Sequence, residues 1–351
     1  MINYFKRKLK DNKYINSMYM YIKNPDFRRW VDLYDKNNVL IFQELGNVDT
    51  EKPLYYMRFD DETWGFFACW KFMIYGLAFA EYYNLTPVVN WTKNNPYYEK
   101  TRCLPNNAFE YYFEPVSNVP FSDAEKGRKV VLCRDYVDRI AEFSNITYEN
   151  ADEKIITYAK YNKKYVFIRD EIKAQINKEI NALLQGKKTI AVHIRGVEWG
   201  NIAGHPDSPE LTKYFLQIDA AITEKNFEQI FLATDSEDTL AQCKKRYGDR
   251  IVTYDDVLRA RSGSKTLMIF DQSVHRKDHH FLLGYEVLRD MITMVHCDGL
   301  IAGYSNVSLA ARTFKFNMNK SYEYLYINEP IIVTTGISSH QAVKMMKNDK
   351  F

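Results

Sequence analysis

An aliphatic run that ends on two basic side chains constrains this chain more than any other stretch: Thr189-Ile190-Ala191-Val192-His193-Ile194-Arg195-Gly196. A continuous apolar run reads as a strand buried on both faces, as strands are inside a parallel sheet. Parallel strands need crossover connections, usually helices, so the run predicts an α/β fold. Ligands of open α/β sheets bind just beyond the carboxyl ends of the strands. Here that end carries an imidazole and a guanidinium, and alternation puts His193 and Arg195 on one face. A ring donor beside a forked cation suits an anion, above all a phosphate ester. The competing reading is that both residues pair with local carboxylates.

The rest of the second half keeps the same rhythm. Helical spacing of Ile172, Ile176, Ile180 and Leu183 predicts a helix over 172–184, ended by Gly186-Lys187-Lys188. A helix is expected over 211–225, then a strand over 229–234 ending in Asp235-Ser236. Ser236 and Asp238 suit the cap of a helix over 238–247. A strand over 250–254, a helix over 284–295 and a strand over 299–303 follow. In the first half the expected elements are a helix over 26–34, a strand over 39–43, a helix over 68–83 and a strand over 87–91. A loop over 94–98 and a helix over 106–113 come next, and the polar stretch 122–164 is mixed. The expectation is an α/β chain of two Rossmann-like domains facing across a cleft. The first covers residues 1–168, the second 169–351, with a hinge near 165–170.

Composition narrows the function. The 351 residues carry 48 basic and 45 acidic side chains, net +3, so no basic domain points to nucleic acid. Aromatic residues make up 15% of the chain, with 27 Tyr, which suits flat polar ligands such as sugars and bases as well as core. Five cysteines, an odd number with no C-x-x-C, suit a reduced cytoplasmic protein. No run approaches the ~20 apolar residues of a membrane span, and the basic N-terminus lacks a signal peptide's apolar core. Tyr4, Phe5, Lys6, Arg7 and Lys8 allow a peripheral contact with an anionic membrane, against the default of a solvated terminus.

Further constellations carry chemistry. Gly303-Tyr304-Ser305-Asn306-Val307-Ser308 turns a strand into a helix, whose amide N–H groups and dipole form an anion site, with Ser305 and Asn306 as added donors. The alternative for Ser305 or Asn306 is plain N-capping. Asp290 sits in the otherwise apolar Val287-Leu288-Arg289-Asp290-Met291-Ile292 and needs donors, which the N1–H and N2–H₂ edge of guanine supplies. A salt bridge to Arg289 or a neighbouring strand is its alternative. Gly65, in Trp64-Gly65-Phe66-Phe67, permits close backbone approach to a ligand, with a simple turn as the default. His275 and His279 have zinc-chelating spacing, but H-E-x-x-H is absent and no metal is expected. His275 and Asp278 are instead candidates for a loop that lines an acceptor site. No G-x-x-x-x-G-K-[ST] loop, G-x-S-x-G elbow or poised Asp-x-Asp pair is present.

Together these motifs resemble the fucosyltransferase superfamily of core α-1,6-fucosyltransferases, nodulation-factor fucosyltransferases and protein O-fucosyltransferases. The resemblance spans about residues 65–313. It rests on His193-Ile194-Arg195 at a strand end, on Leu232-Ala233-Thr234-Asp235, and on Phe113-Glu114-Pro115-Val116-Ser117. It rests also on Asp290 standing fifteen residues before Ser305. The resemblance implies a GT-B-like fold, GDP-fucose as donor, inversion at the anomeric carbon and no metal. It implies that Arg195 holds the β-phosphate, that His193 and Asp290 contact the nucleoside, and that Ser305 or Asn306 binds phosphate. Asp235 and Gly65 join the donor site. The core enzymes read His-x-Arg-Arg-Thr-Asp-Lys, whereas this chain continues Gly196-Val197-Glu198-Trp199. The loop to His205-Pro206 is two residues shorter than theirs. Glu198 takes the place of the family's catalytic base, with Asp207 and Asp278 as rivals, and His205 joins the acceptor candidates. The expected function is a fucosyl transfer to a glycan or lipid-linked glycan in bacterial surface polysaccharide synthesis, at the inner membrane face. The rival readings are transfer of another GDP-hexose or GDP-heptose and an inactive sugar-nucleotide-binding scaffold.

Overall fold

The computed structural model describes residues 40–61, 63–102, 106–133, 150–195, 206–207, 209–260, 275–329 and 331–332. The expected helix over 26–34, the membrane-contact residues 4–8, Glu198 and His205 lie outside them.

The chain is α/β, built on two sheets in which parallel pairing prevails. In the first half, β1 (Leu40–Gln43), β2 (Leu54–Phe59), β3 (Thr86–Trp91) and β4 (Val130–Cys133) form a sheet in the order β1-β4-β2-β3. Strand β2 lies parallel to both β3 and β4, and only β1 runs antiparallel. Between β2 and β3 stands α1 (Phe66–Tyr82), apolar nearly all round and accordingly buried along most of its length. The short α2 (Phe121–Ala124) precedes β4. Residues expected as a helix over 106–113 form a single 3-10 turn, Ala108–Tyr111, capped by Asn107, whose side chain accepts from the Phe109 amide. The Asn107 side chain also accepts from the Trp91 amide at 2.9 Å and donates to the Val89 carbonyl at 2.9 Å. One asparagine thereby ties this turn to β3 and satisfies backbone groups that would otherwise be buried unpaired.

Two helices follow, α3 (Ala151–Tyr165) and α4 (Asp170–Leu184). Helix α3 sits inside the stretch that reads as mixed and polar. It shows a buried stripe of Ile155, Tyr158, Ala159 and Asn162 beneath a charged face. The second sheet then begins with β5 (Thr189–Ile194). After β6 (Pro206–Asp207) come α5 (Leu211–Lys225), β7 (Gln229–Thr234), α6 (Glu237–Tyr247), β8 (Ile251–Val252), α7 (His279–His296) and β9 (Gly299–Gly303). Then come α8 (Asn306–Asn317), β10 (Tyr324–Asn328) and β11 (Ile331–Ile332), which pairs antiparallel with β6. The five long-sheet strands are all parallel, in the order β10-β9-β5-β7-β8. From β5 the chain winds outward through β7 to β8, then returns to the other side of β5 for β9 and β10. That order is doubly wound, and it creates a switch point between β5 and β9.

Alternation along these strands divides the core. Ile190, Val192, Ile194, Ile230, Leu232 and Ile301 face α5 through Tyr214 and Ile218. Ala191, Phe231, Ala233, Leu300 and Ala302 join the opposite cluster, with Leu288, Met291 and Ile292 of α7. That second cluster continues without a break into Trp70, Phe79, Trp91 and Tyr112 of the first half. Helix α8 packs on α1, α3 and α7.

Candidate functional site

The site assembles where the register of the second sheet brings three strand ends side by side. His193 pairs with Ala302 of β9 and with Ala233 of β7, and Ile194 pairs with Thr234. One residue further, Arg195 leaves β5 beside Asp235 as that residue leaves β7. On the opposite side β9 ends at Gly303 and passes through Tyr304 into α8. Arg195, Asp235 and the 303–306 turn therefore share the carboxyl edge of the sheet, straddling the switch point. This is the crevice in which doubly wound sheets hold ligands.

Arg195 and His193 continue the Ala191 side of β5, the side covered by α7. Both are half-buried. Desolvation pulls the Arg195 guanidinium down to about 10, opposed by the Asp235 carboxylate, so it remains charged at neutral pH. Desolvation, reinforced by the Arg195 charge, lowers the His193 imidazole to about 4. His193 is thus a neutral ring, able to donate through one nitrogen and accept through the other. Its Nδ1 is enclosed and has no hydrogen-bond partner among the described residues.

The 303–306 turn shows the capping reading of its sequence. Ser305 is the N-cap of α8: its Oγ accepts from the Ser308 amide at 3.1 Å, and its own amide donates to Ser308 Oγ at 3.1 Å. This reciprocal capping box occupies the Ser305 hydroxyl. The Ser308 hydroxyl in turn donates to the Gly303 and Ser305 carbonyls, both at 2.9 Å. The turn is therefore held from within. The amides of Asn306 and Val307, at the first two helical positions, have no intrahelical partner. They are the N–H groups that this helix end offers to an anion, together with its dipole.

Asp290 lies on α7 and does not pair with Arg289, the salt bridge that its sequence neighbour suggested. Arg289 turns instead to Asp256, at 2.6 and 3.0 Å, and to Glu179, at 2.7 Å. The Asp290 carboxyl group is half-buried and makes no hydrogen bond among the described residues. Desolvation raises it to about 7, against the lowering fields of Arg289 and Arg259. A half-buried carboxyl group without donors is the state expected of a group that waits for a ligand's N–H groups.

The other candidates fall elsewhere. Gly65 is the exposed N-cap residue of α1, with ordinary extended backbone and open space where a Cβ would stand. The protein itself does not require glycine there. His275 is exposed and precedes α7, so His275 and His279 do not form a helical i, i+4 pair. Among the described residues no three His, Cys, Asp or Glu side chains gather as a metal site. Asp278 is the left-handed N-cap residue of α7, and its carboxylate accepts from Thr101 Oγ1 at 3.1 Å.

That contact belongs to a junction that the sequence does not announce. Glu99, buried in the first half, accepts from the His280 amide at 3.1 Å, and His280 Nδ1 stands 2.8 Å from the Pro96 carbonyl. Tyr112 donates to the Phe281 carbonyl at 2.9 Å, and the Arg102 guanidinium lies 3.5 Å from the Phe281 ring centroid. The first turn of α7 is capped by side chains from the loop over 94–102. Such pairings join residues about 180 positions apart, and no local pattern encodes them.

No family model matches the chain, and no curated protein matches it. Among solved structures, it is similar to the NodZ α-1,6-fucosyltransferase in a crystal soaked with GDP-fucose, at 18% identity over 75% of this chain and 92% of that one, with a TM-score of 0.43. The fucosyltransferase NodZ from Bradyrhizobium gives 17% identity, coverage of 75% and 93%, and a TM-score of 0.42. POFUT1 in complex with GDP gives 13% identity, coverage of 78% and 99%, and a TM-score of 0.47. At these identities and scores, the functional conclusion rests on the site's own residues.

Proposed function

We propose that the chain is a glycosyltransferase that moves fucose from GDP-fucose to a hydroxyl of a glycan acceptor, with inversion at the anomeric carbon. The observation that carries this is the convergence of Arg195 and the free amides of α8 at the switch point of a doubly wound parallel sheet. The GDP diphosphate lies across Arg195 and the Asn306 and Val307 amides. Positive charge there stabilises the departing diphosphate, the role a divalent metal plays in other glycosyltransferases. Asp235 holds Arg195 in its charged form and limits its swing. Asp290 accepts from the guanine N1–H and N2–H₂ edge, and neutral His193 contacts the nucleoside. Glu198 takes the acceptor proton, and His205, His275 and Asp278 border the acceptor. Residues 169–351 hold the donor and 1–168 face the acceptor across a cleft. Surface-glycan synthesis at the inner membrane face is the cellular role that fits, and no described helix is long and apolar enough to cross a membrane.

A second reading follows from Gly196-Val197-Glu198-Trp199, which stands where the core fucosyltransferases carry Arg-Thr-Asp-Lys. It is a scaffold that binds the sugar nucleotide without turnover. Incubation with GDP-fucose and with GDP-mannose, with and without EDTA, separates the two. GDP release from GDP-fucose, unchanged by EDTA and abolished in R195A, is the expected result. Tight GDP binding with no release from either donor, on any acceptor tried, supports the scaffold instead.

A further inference from the structure

The chain leaves the second sheet early at β8, level with Phe231 and three residues short of the end of β7. Residues 253–260 then run alongside and return at Ala260, whose amide donates to the Asp235 carbonyl at 2.7 Å. This segment is clamped to α7 on both sides of Asp290. On one side Asp256 accepts two bonds from Arg289, whose guanidinium lies 3.8 Å from the Tyr254 ring centroid. On the other, the Tyr254 hydroxyl shares a 2.9 Å hydrogen bond with Thr293. Asp290 lies between the two clamp points.

Inside the segment is Arg259, only 7% exposed. Its Nη2 donates to Thr253 Oγ1 at 2.7 Å and to the Tyr254 carbonyl at 2.9 Å, and its Nη1 to the Val257 carbonyl at 3.3 Å. Every one of these acceptors is neutral, and Nε is enclosed with no partner. A guanidinium withdrawn from water needs negative charge close by. Arg289 already has two carboxylates in Asp256 and Glu179. Among the described residues Arg259 has none in contact, and Asp290, which makes no hydrogen bond among them, lies within its field. The remaining groups that act on Asp290 are Arg289 and Glu286 from its own helix and Asp256 and Tyr254 from the segment. Glu179 of α4 is bound to Arg289, and Glu286 is paired with Arg276.

We propose that Arg259 is a positioning residue: from within the 253–260 segment its charge favours the carboxylate form of Asp290 facing the nucleobase, so that the site selects a base edge bearing two N–H donors. The inference rests on the nucleotide-binding reading above. A carboxylate accepts both donors of guanine, whereas the protonated acid presents a donor of its own and loses one of the two bonds. With both Nη groups bonded inside the segment and Nε enclosed, Arg259 acts on the base through Asp290.

Calorimetric titration with GDP between about pH 5.5 and 8.5 tests this on the wild type, R259K, R259M and D290N. Wild-type affinity should rise about tenfold per pH unit up to a midpoint and then level off. R259M should move that midpoint up by about one unit, R259K should keep it, and D290N should bind weakly and keep only the pH dependence of the GDP terminal phosphate, which ionises at about pH 6 in every variant. If R259M does not fold, R259Q, which keeps a donor for the Tyr254 carbonyl but no charge, gives the same decision. Equal midpoints in the wild type and the uncharged variant overturn the proposal. A wild type that binds no GDP at any pH overturns the nucleotide reading instead. The carboxyl ¹³C titration of ligand-free Asp290, assigned by its loss in D290N, then decides alone: the midpoint moves upward without Arg259, or the proposal fails.

Discussion

His193 and Asp290 bear opposite relations to pH, and each gives a measurable signature. Desolvation lowers the half-buried His193 imidazole from 6.5 to about 4, so the folded chain resists a proton that the unfolded chain accepts. Its stabilising contribution is complete above pH 6.5 and is lost as pH drops from 6.5 to 4. Thermal melts over this window should show H193Q losing less stability on acidification than the wild type; parallel curves would remove His193 from the linkage. Asp290 rises from 3.8 to about 7, so the folded chain holds its proton longer than the unfolded chain. Its contribution is present below pH 3.8 and is lost as pH rises to 7. D290N should therefore gain melting temperature over the wild type more at pH 8 than at pH 4. The same variant should bind GDP more than about tenfold more weakly while UDP changes little, since uracil offers a single ring N–H. Equal small losses for both nucleotides would make Asp290 a structural residue.

At the scale of elements, most strand ends and helix starts of the second sheet are legible because their signals are local, but α7 begins at His279 rather than at 284, and β8 ends at Val252 rather than at 254. The aliphatic run before His193 and Arg195, the Ser236 cap and the Ser305 turn all stand where their sequence puts them. Strand β2 was not legible. Leu54-Tyr55-Tyr56-Met57-Arg58-Phe59 is covered on both faces, yet its aromatic and polar content gives neither an aliphatic run nor an alternation. Strand β10, short and at the sheet edge, was equally silent. Arg259, Glu99 and Arg102 carry no sequence signal for another reason: their partners come from other elements or from a loop that takes shape only on folding. Two substitutions test the packing of elements. Ser305→Ala removes one half of the capping box and should cost about 1 kcal/mol in denaturant unfolding. Gly284 lies where α7 meets Tyr112 and Phe66, and a Cβ there would overlap the Tyr112 hydroxyl and ring. Gly284→Ala should cost about 1–3 kcal/mol, as overpacking does. No loss would mean that the first half and α7 are not in close contact.

The whole molecule shares one apolar cluster, from Trp70 and Trp91 beneath the first sheet to Leu288 and Leu300 beneath the second. Helices α1 and α3 pack on α8, and the loop over 94–102 caps α7. A core shared in this way favours one cooperative transition, with calorimetric and van't Hoff enthalpies in agreement; two separated transitions would mean independently folding halves. The central claim is narrower: the carboxyl edge of the second sheet, at Arg195 and the α8 amides, holds the diphosphate of GDP. Titration of the purified chain with GDP, UDP and ADP at pH 8, repeated on R195A, tests it most directly. The account predicts one site per chain, tightest for GDP, and at least about a hundredfold loss in R195A with the fold intact. No binding of GDP, or binding that R195A leaves unchanged, would contradict it.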